Sequence, residues 1–451
     1  MTLAEPTRTR SGRAARRAER AVTRAVGAVP YIMRGIPTYD VLSEENLLRI
    51  EHAADRILAE TGIDFRDDDE AIELWKKAGA HVDGIRVRFE PGMLREILKT
   101  APSEFTQHAR NPANSVQIGG KSVVFAPAYG SPFVMDLDRG RRFGTMEDFT
   151  NFVKLGQSSP WLHHSGGTIC EPTDIAVNKR HLDMVYAHVK YSDRGFLGSV
   201  TAPERAEDSI EMARLVFGHE FADQNCVIMA NFNVNSPLVG DGTMTKGMRA
   251  YAKAGQAVVL VPFILGGAMG PVTTAGAIAQ ALAETMAGCA LIQLVRPGAP
   301  VVFGNFLSSM SLRSGSPTFG TPEPAIGSMI IGQLARRLNL PLRCSGNFTN
   351  SKLPDAQAMM EGTMSMMAAV QCGANYVLHS AGFLDGLLSM SYEKFVLDTD
   401  LCGAMHAYLK GVEIDENALA VDAFAEVGPG NHFFGCQHTL KNYETAFWDS
   451  E

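Results

Sequence analysis

The sequence predicts an α/β chain of the (β/α)8 TIM-barrel class with an N-terminal helical cap region. Three observations carry that prediction. Eight short apolar runs alternate with eight helical patterns at roughly 30–40-residue spacing. Many of the runs are apolar on both faces, as strands buried between a barrel core and outer helices must be. None is followed by GxGxxG, the fingerprint that an open doubly wound sheet with a dinucleotide site would carry.

Taken in order, residues 1–25 hold seven Arg and two Glu among Ala, Thr and Ser, the composition of a disordered basic arm, set at 1–30. Residues 31–120 read as the cap region. Ser43 caps a helix reaching about residue 61, helices follow over 69–78 and 91–100, and a strand spans 85–89. The barrel and a C-terminal extension occupy 121–451, with a hairpin over 133–143 turning at Asp138-Arg139-Gly140. Strands are expected over 123–130, 162–169, 195–200, 226–234, 257–264, 300–306, 341–346 and 375–382. The helices expected after them cover 146–156, 178–191, 202–217, 244–254, 273–295, 322–338, 355–371 and 392–409. Thr145, Thr201, Thr243 and Thr321 stand where helix caps belong, and Asp355 precedes an Ala-Gln-Ala run it can cap.

Bulk composition excludes several classes of function. A net charge of -8 over 451 residues gives no basic footprint for nucleic acid. The most apolar helix pattern, 273–295, is interrupted by Gln280, Glu284 and Gln293, which suits a buried barrel helix better than a membrane span. Seven single cysteines without a CxxC pair point away from a disulfide framework and toward a reducing, cytoplasmic setting. His432, Cys436 and His438 match no common zinc spacing, so no metal is expected.

In barrels of this class the chemistry sits at the C-terminal ends of the strands. There the sequence offers Tyr129, then Asn231, Phe232 and Asn233, then Phe306, then Asn347 and Phe348, then His379. This inventory is rich in amides and rings and poor in charge. It lacks the Ser-His-Asp order, HExxH and paired carboxylates that acyl transfer or metal hydrolysis would need. Ring faces and amides suit a polar neutral ligand or a cation without protons to donate, such as a quaternary ammonium.

Three segments bear a resemblance. They are 314–328 (SGSPTFGTPEPAIGS), 345–357 (SGNFTNSKLPDAQ) and 427–439 (VGPGNHFFGCQHT), in that order and at barrel-like spacing. Together they resemble the trimethylamine methyltransferase family, with similarity from about Pro37 to Trp448. The resemblance implies a (β/α)8 enzyme that passes a methyl group from an amine to the Co(I) of a corrinoid carried by a separate partner protein. Members acting on trimethylamine hold pyrrolysine in the loop equivalent to 346–350, which here reads Gly-Asn-Phe-Thr-Asn. The chain is therefore similar to the non-pyrrolysine branch, whose substrates are quaternary amines such as glycine betaine. A quaternary nitrogen leaves as a neutral tertiary amine, so the absence of an acid in the inventory fits. The protein's task reduces to holding the cation and orienting the methyl group.

Within that frame Tyr129, Phe232, Phe306 and Phe348 are candidates for a cation-facing cage. Arg313 is a candidate anchor for a substrate carboxylate, His379 a hydrogen-bonding partner, and Glu171 and Glu323 sources of negative charge. Two rival readings stay open. One is transfer of an onium methyl group directly to tetrahydrofolate, and the other is a non-catalytic betaine-binding protein. A homo-oligomer is expected from the dense apolar helices.

Overall fold

Helix signals in the sequence are local, and the chain follows them closely. The computed structural model describes residues 31–450, so the basic arm expected over 1–30 lies outside the described residues. Eight longer helices occur in order, with the short helix His219–Gln224 between the third and fourth: α1 (Met146–Ser158), α2 (Arg180–Tyr191), α3 (Pro203–Phe217), α4 (Gly242–Lys253), α5 (Thr274–Val295), α6 (Pro322–Arg337), α7 (Ala356–Gln371) and α8 (Tyr392–Lys410). Thr145 opens α1 with a capping box, its hydroxyl and the Asp148 carboxylate each accepting the other's backbone N–H. Asp355 caps α7 by accepting Ala358 N–H.

The other three expected caps need correction. Thr243 lies inside α4, which Asp241 caps instead, a carboxylate being the stronger acceptor there. Ala202 occupies the cap position of α3, because Pro203 pre-sets the first helical residue without a side-chain cap. Thr321 stands at the cap position of α6, but its hydroxyl finds no partner.

The fold is mixed α/β. Its largest sheet contains β1 (Ser122–Phe125), β2 (Met229–Val234), β3 (Ala257–Gly266), β4 (Val301–Gly304), β5 (Phe306–Ser311), β6 (Leu342–Ser345) and β7 (Tyr376–Leu378). Parallel ladders run β1–β7–β6–β4–β3–β2. β5 continues the pairing to β3 past Asn305, then turns back on Ser316–Thr318 as an antiparallel hairpin.

The strands expected over 162–169 and 195–200 form no ladder. They survive as single bridges, His164 to Gly195 and Leu197 to Met229. Side chains take the amides a ladder would use: His163 Nδ1 accepts Phe125 N–H, His164 Nδ1 accepts Gly166 N–H, and Ser209 Oγ accepts Ser199 N–H. Backbone bonds still connect these segments to both sheet edges, from His163 N to Phe125 O, Ser165 N to Gly195 O and Gly198 N to Met229 O.

The N-terminal part carries helices Glu44–Arg56, Asp69–Ala78 and Met93–Leu98, the first continued by a wider turn over Ile57–Thr61. Ser43 accepts Asn46 N–H at its cap. The hairpin expected over 133–143 is present as Phe133–Asp136 against Gly140–Phe143. Trp75 is fully buried between Phe65 and Phe89, with ring centroids 5.8 and 4.8 Å away. A buried ion pair ties this region to α4. Arg249 Nη2 donates to Asp68 Oδ1 at 2.7 Å while Thr245 Oγ1 donates to Asp68 Oδ2. Arg249 also pairs with the more exposed Glu70, so loss of Asp68 removes its buried partner and leaves the surface one. Asp68→Ala is therefore expected to cost about 2–3 kcal/mol of unfolding free energy, the worth of hydrogen bonds to a charged group. The measurement is the urea midpoint, and an unchanged midpoint would show that the pair gives no net stabilisation.

Helix α5 is long and apolar enough, by length and composition, to cross a membrane, yet 83% of that stretch is buried inside the fold. A helix apolar all round is what a core position demands. Its one carboxylate, Glu284, is satisfied by Ser236 Oγ at 2.6 Å and Leu238 N at 2.8 Å.

Candidate active site

At the C-terminal ends of β4, β6 and β7 the chain brings five rings together from four separate segments. Phe306 opens β5, Phe319 stands on the loop before α6, Phe348 follows β6, and His379 and Phe383 follow β7. All five are buried. Phe348 is central, with centroids 5.1 Å from Phe306, 5.3 Å from Phe319, 5.7 Å from His379 and 4.9 Å from Phe383. The contacts are edge-to-face or tilted, the arrangement ring quadrupoles favour.

His379 is held in a left-handed backbone conformation (φ 61°), which costs a non-glycine residue about 1–3 kcal/mol. Its amide donates to Pro127 O and its carbonyl accepts Asn347 N–H. The ring Nδ1 accepts Tyr129 N–H at 3.2 Å, which leaves the imidazole proton on Nε2. Burial pushes this imidazole well below its ordinary pKa, so it is neutral beside the rings. His164 and His188 are likewise buried and are driven by burial down to about 3 and about 4. A further carboxylate lies behind the Phe348 loop. Glu361 accepts from Thr349 Oγ1 at 2.7 Å and Asn350 N at 2.8 Å. These bonds shape the loop and place an acid close to Gly320, whose neighbour Phe319 belongs to the cluster.

Of the residues expected at the site, Phe306, Phe348 and His379 come together. Tyr129 is half-buried, approaches through its amide bond to His379, and burial raises its phenol to about 12. Asn231 is buried with Oδ1 unpartnered, whereas Asn233 further along β2 is exposed. Phe232 does not join the rings. It points to the opposite face, 5.7 Å from Tyr251 of α4 and beneath Gly247, because adjacent strand residues alternate sides. Asn347 is buried, donates to Ser380 O at 2.6 Å and turns toward Gly362 and Lys394 rather than the rings.

Arg313 is exposed at the hairpin tip between β5 and Ser316–Thr318, outside the cluster. Glu171 pairs with Arg180 at 3.0 Å, and Glu323 is exposed in the first turn of α6. In the tail, His438 Nε2 meets Asn417 O and Cys436 Sγ meets Thr439.

Four participants lie outside the expected set: Phe319, Phe383, Glu361 and Arg343. Phe319 sits within a quoted motif on a loop and Phe383 opens the two-residue strand Phe383–Leu384, stretches too short for periodicity to assign a direction. Arg343 does leave a signal, a guanidinium inside the apolar strand Leu342-Arg343-Cys344, where buried charge is rare.

The chain matches the family model "Trimethylamine methyltransferase (MTTB)" over residues 9–451. It is 42% identical over 414 residues to the glycine betaine methyltransferase of Desulfitobacterium hafniense (strain Y51), covering 92% of this chain and 86% of that one. It is 30% identical over 410 residues to the proline betaine:corrinoid methyltransferase of Eubacterium limosum, covering 87% and 82%. Its fold is similar to that of the Methanosarcina barkeri monomethylamine methyltransferase (TM-score 0.52, 11% identity, 91% and 94% coverage). The buried ring cluster thus stands in a chain that, matched by one family model along nearly its whole length, belongs to the trimethylamine methyltransferase family.

Proposed function

We propose that this chain takes a methyl group from a betaine-like quaternary amine and passes it to the corrinoid of a separate protein. The observation that carries the reading is the ring cluster of Phe306, Phe319, Phe348 and Phe383, with a neutral imidazole among the rings. Desolvated ring faces hold a proton-free cation, and an imidazole that stays neutral does not repel it. The corrinoid supplies the nucleophile as reduced cobalt. The chain's own residues bind the cation, orient one methyl group and exclude water. No proton has to move, because the leaving group departs as a neutral tertiary amine. Since the rings touch one another, substrate entry requires one to swing.

A corrinoid-bearing partner also needs a surface to sit on. Around the strand ends, successive loops carry large exposed apolar side chains. Leu137, Phe143, Val272, Leu312, Leu353 and Leu388 are 46–70% exposed. Val272 and Leu312 lie side by side across Gly267, and the Leu388 carbonyl accepts Phe133 N–H. A rim of this kind suits protein docking and has no use in a protein that only binds a small betaine.

The architecture that goes with this reading is a (β/α)8 barrel over 121–451 behind a helical cap over 31–120. It is supported by the eight helices and by the backbone bonds from His163 and Gly198 to the sheet edges. A homo-oligomer belongs to the same reading, supported by Phe424, Phe434 and Phe447 on the tail, 64, 85 and 86% exposed. So does a cytoplasmic setting, supported by seven free cysteines.

The test is anaerobic incubation of the purified chain with reduced cobalamin and a panel of onium compounds, following loss of the Co(I) absorbance. One betaine is expected to consume Co(I) and release its demethylated amine in equal amount. Binding without consumption would favour a binding protein. Consumption of betaine with tetrahydrofolate alone would favour direct transfer to the pterin.

A further inference from the structure

One charged side chain stands inside the sheet with no described residue of opposite charge beside it. Arg343 lies on β6 in register with Tyr376 of β7, whose hydroxyl meets His164 Nδ1 at 3.2 Å. In-register neighbours of a parallel pair share a face, so guanidinium and phenol point to the same inner side. Arg343 is 1% exposed. Its Nη1 donates to Asn305 O at 2.5 Å, while Nε has no partner. Among the described residues it forms no ion pair, and the neighbouring Cys344 thiol and Tyr376 phenol, pushed up by the Cys372 contact and by burial, offer it no negative charge. Burial lowers its pKa to about 10, which leaves it a cation at neutral pH. Its Cζ is 5.6 Å from the Phe306 ring centre, which is itself 5.1 Å from Phe348 and 5.6 Å from His379. The neighbouring Ser345 also keeps a buried hydroxyl without a partner.

Burying a lone guanidinium is strongly unfavourable, and proteins retain one where a ligand completes it. With Nη1 held by Asn305, the Nε edge of a planar fork remains for a carboxylate. We propose that Arg343 receives the carboxylate of the substrate while the Phe306–Phe348–His379 side takes its methylated nitrogen. The pairing rests on the methyl-transfer reading above and narrows it. The substrates are zwitterions whose carboxylate and quaternary nitrogen lie a short spacer apart, and choline-like cations are poor substrates. Exposed Arg313 cannot give the same selectivity, because water screens a charge at a hairpin tip.

The test is calorimetric titration of the whole chain with glycine betaine, its amide (a cation without the carboxylate charge) and choline. Wild type is expected to bind the acid roughly 100-fold more tightly than the amide. In Arg343→Gln and Arg343→Met that ratio falls toward one through loss of acid affinity, while Arg343→Lys keeps part of it. Without ligand, Arg343→Met is expected to melt no lower than wild type, since an uncompensated buried charge is gone. Equal wild-type binding of acid and amide overturns the assignment of Arg343 and leaves methyl transfer standing. So does a ratio preserved in Arg343→Gln. Should the variants misfold, the wild-type ratio alone decides. Failure of wild type to bind any onium compound removes both readings together.

Discussion

Phe348→Leu is expected to lower kcat/KM for the quaternary amine by about 30-fold, mostly through KM, and Phe348→Ala by about 100-fold or more. Phe348 touches four rings within 5.7 Å and is 3% exposed, so a cation seated against it would meet a desolvated ring face. A desolvated cation–π contact is worth about 2 kcal/mol, which is roughly 30-fold. Leu keeps most of the volume and discards the quadrupole, so it isolates that contribution. Ala adds the cavity term of a truncated core Phe, about 3–5 kcal/mol in stability, and its melting point must be measured beside its kinetics. A Phe348→Leu enzyme with wild-type kcat/KM would sink the ring cluster as the cation site.

Charging the rim should separate chemistry from docking. The pair Leu312→Asp with Leu388→Asp is expected to slow methyl transfer to a protein-borne corrinoid by about 30-fold or more. Substrate affinity and transfer to free cobalamin should stay at wild-type level. Both residues are well exposed, at 70 and 46%, so the substitutions cost the free protein little. Anchors central to an interface contribute about 2 kcal/mol or more each, and a carboxylate buried against an apolar partner surface is worse than a lost contact. Unchanged transfer to the protein-borne corrinoid would move the docking face elsewhere. An equal loss with free cobalamin would mean that the loops hold the ring cluster rather than the partner.

Much of the helical framework is legible in the sequence. The helix over Asp69–Ala78 has the expected boundaries, and α5, α6, α7 and α8 agree within a residue or two. The two segments that form no strand show the limit of local pattern. Their apolar runs are real, but His163, His164 and Ser209 compete for the amides, and a run of residue types does not reveal that competition.

The candidate site divides along the same line. Phe306, Phe348 and His379 are legible because each stands near or just beyond the end of an expected strand, where this fold class gathers its chemistry. The period of two also makes it legible that Asn231 and Phe232 face opposite ways. Which of them faces inward is settled by packing, since Phe232 fills the space under Gly247 of α4. Arg313 and Arg343 look alike as letters. One is carried to a hairpin tip and the other into the sheet, as the apolar run around Arg343 already signals, and the pairing register of β6 with β7 sets it beside Tyr376. By itself, then, the sequence determined the order and extent of the helices, the family and the loops in which a site would lie, because caps, periodicity and motifs act over a few neighbouring residues. The tertiary structure alone decided which rings meet, that Glu361 stands behind them and that Arg343 is left without a counter-charge. Those facts depend on contacts between segments far apart in the chain, which no local pattern encodes.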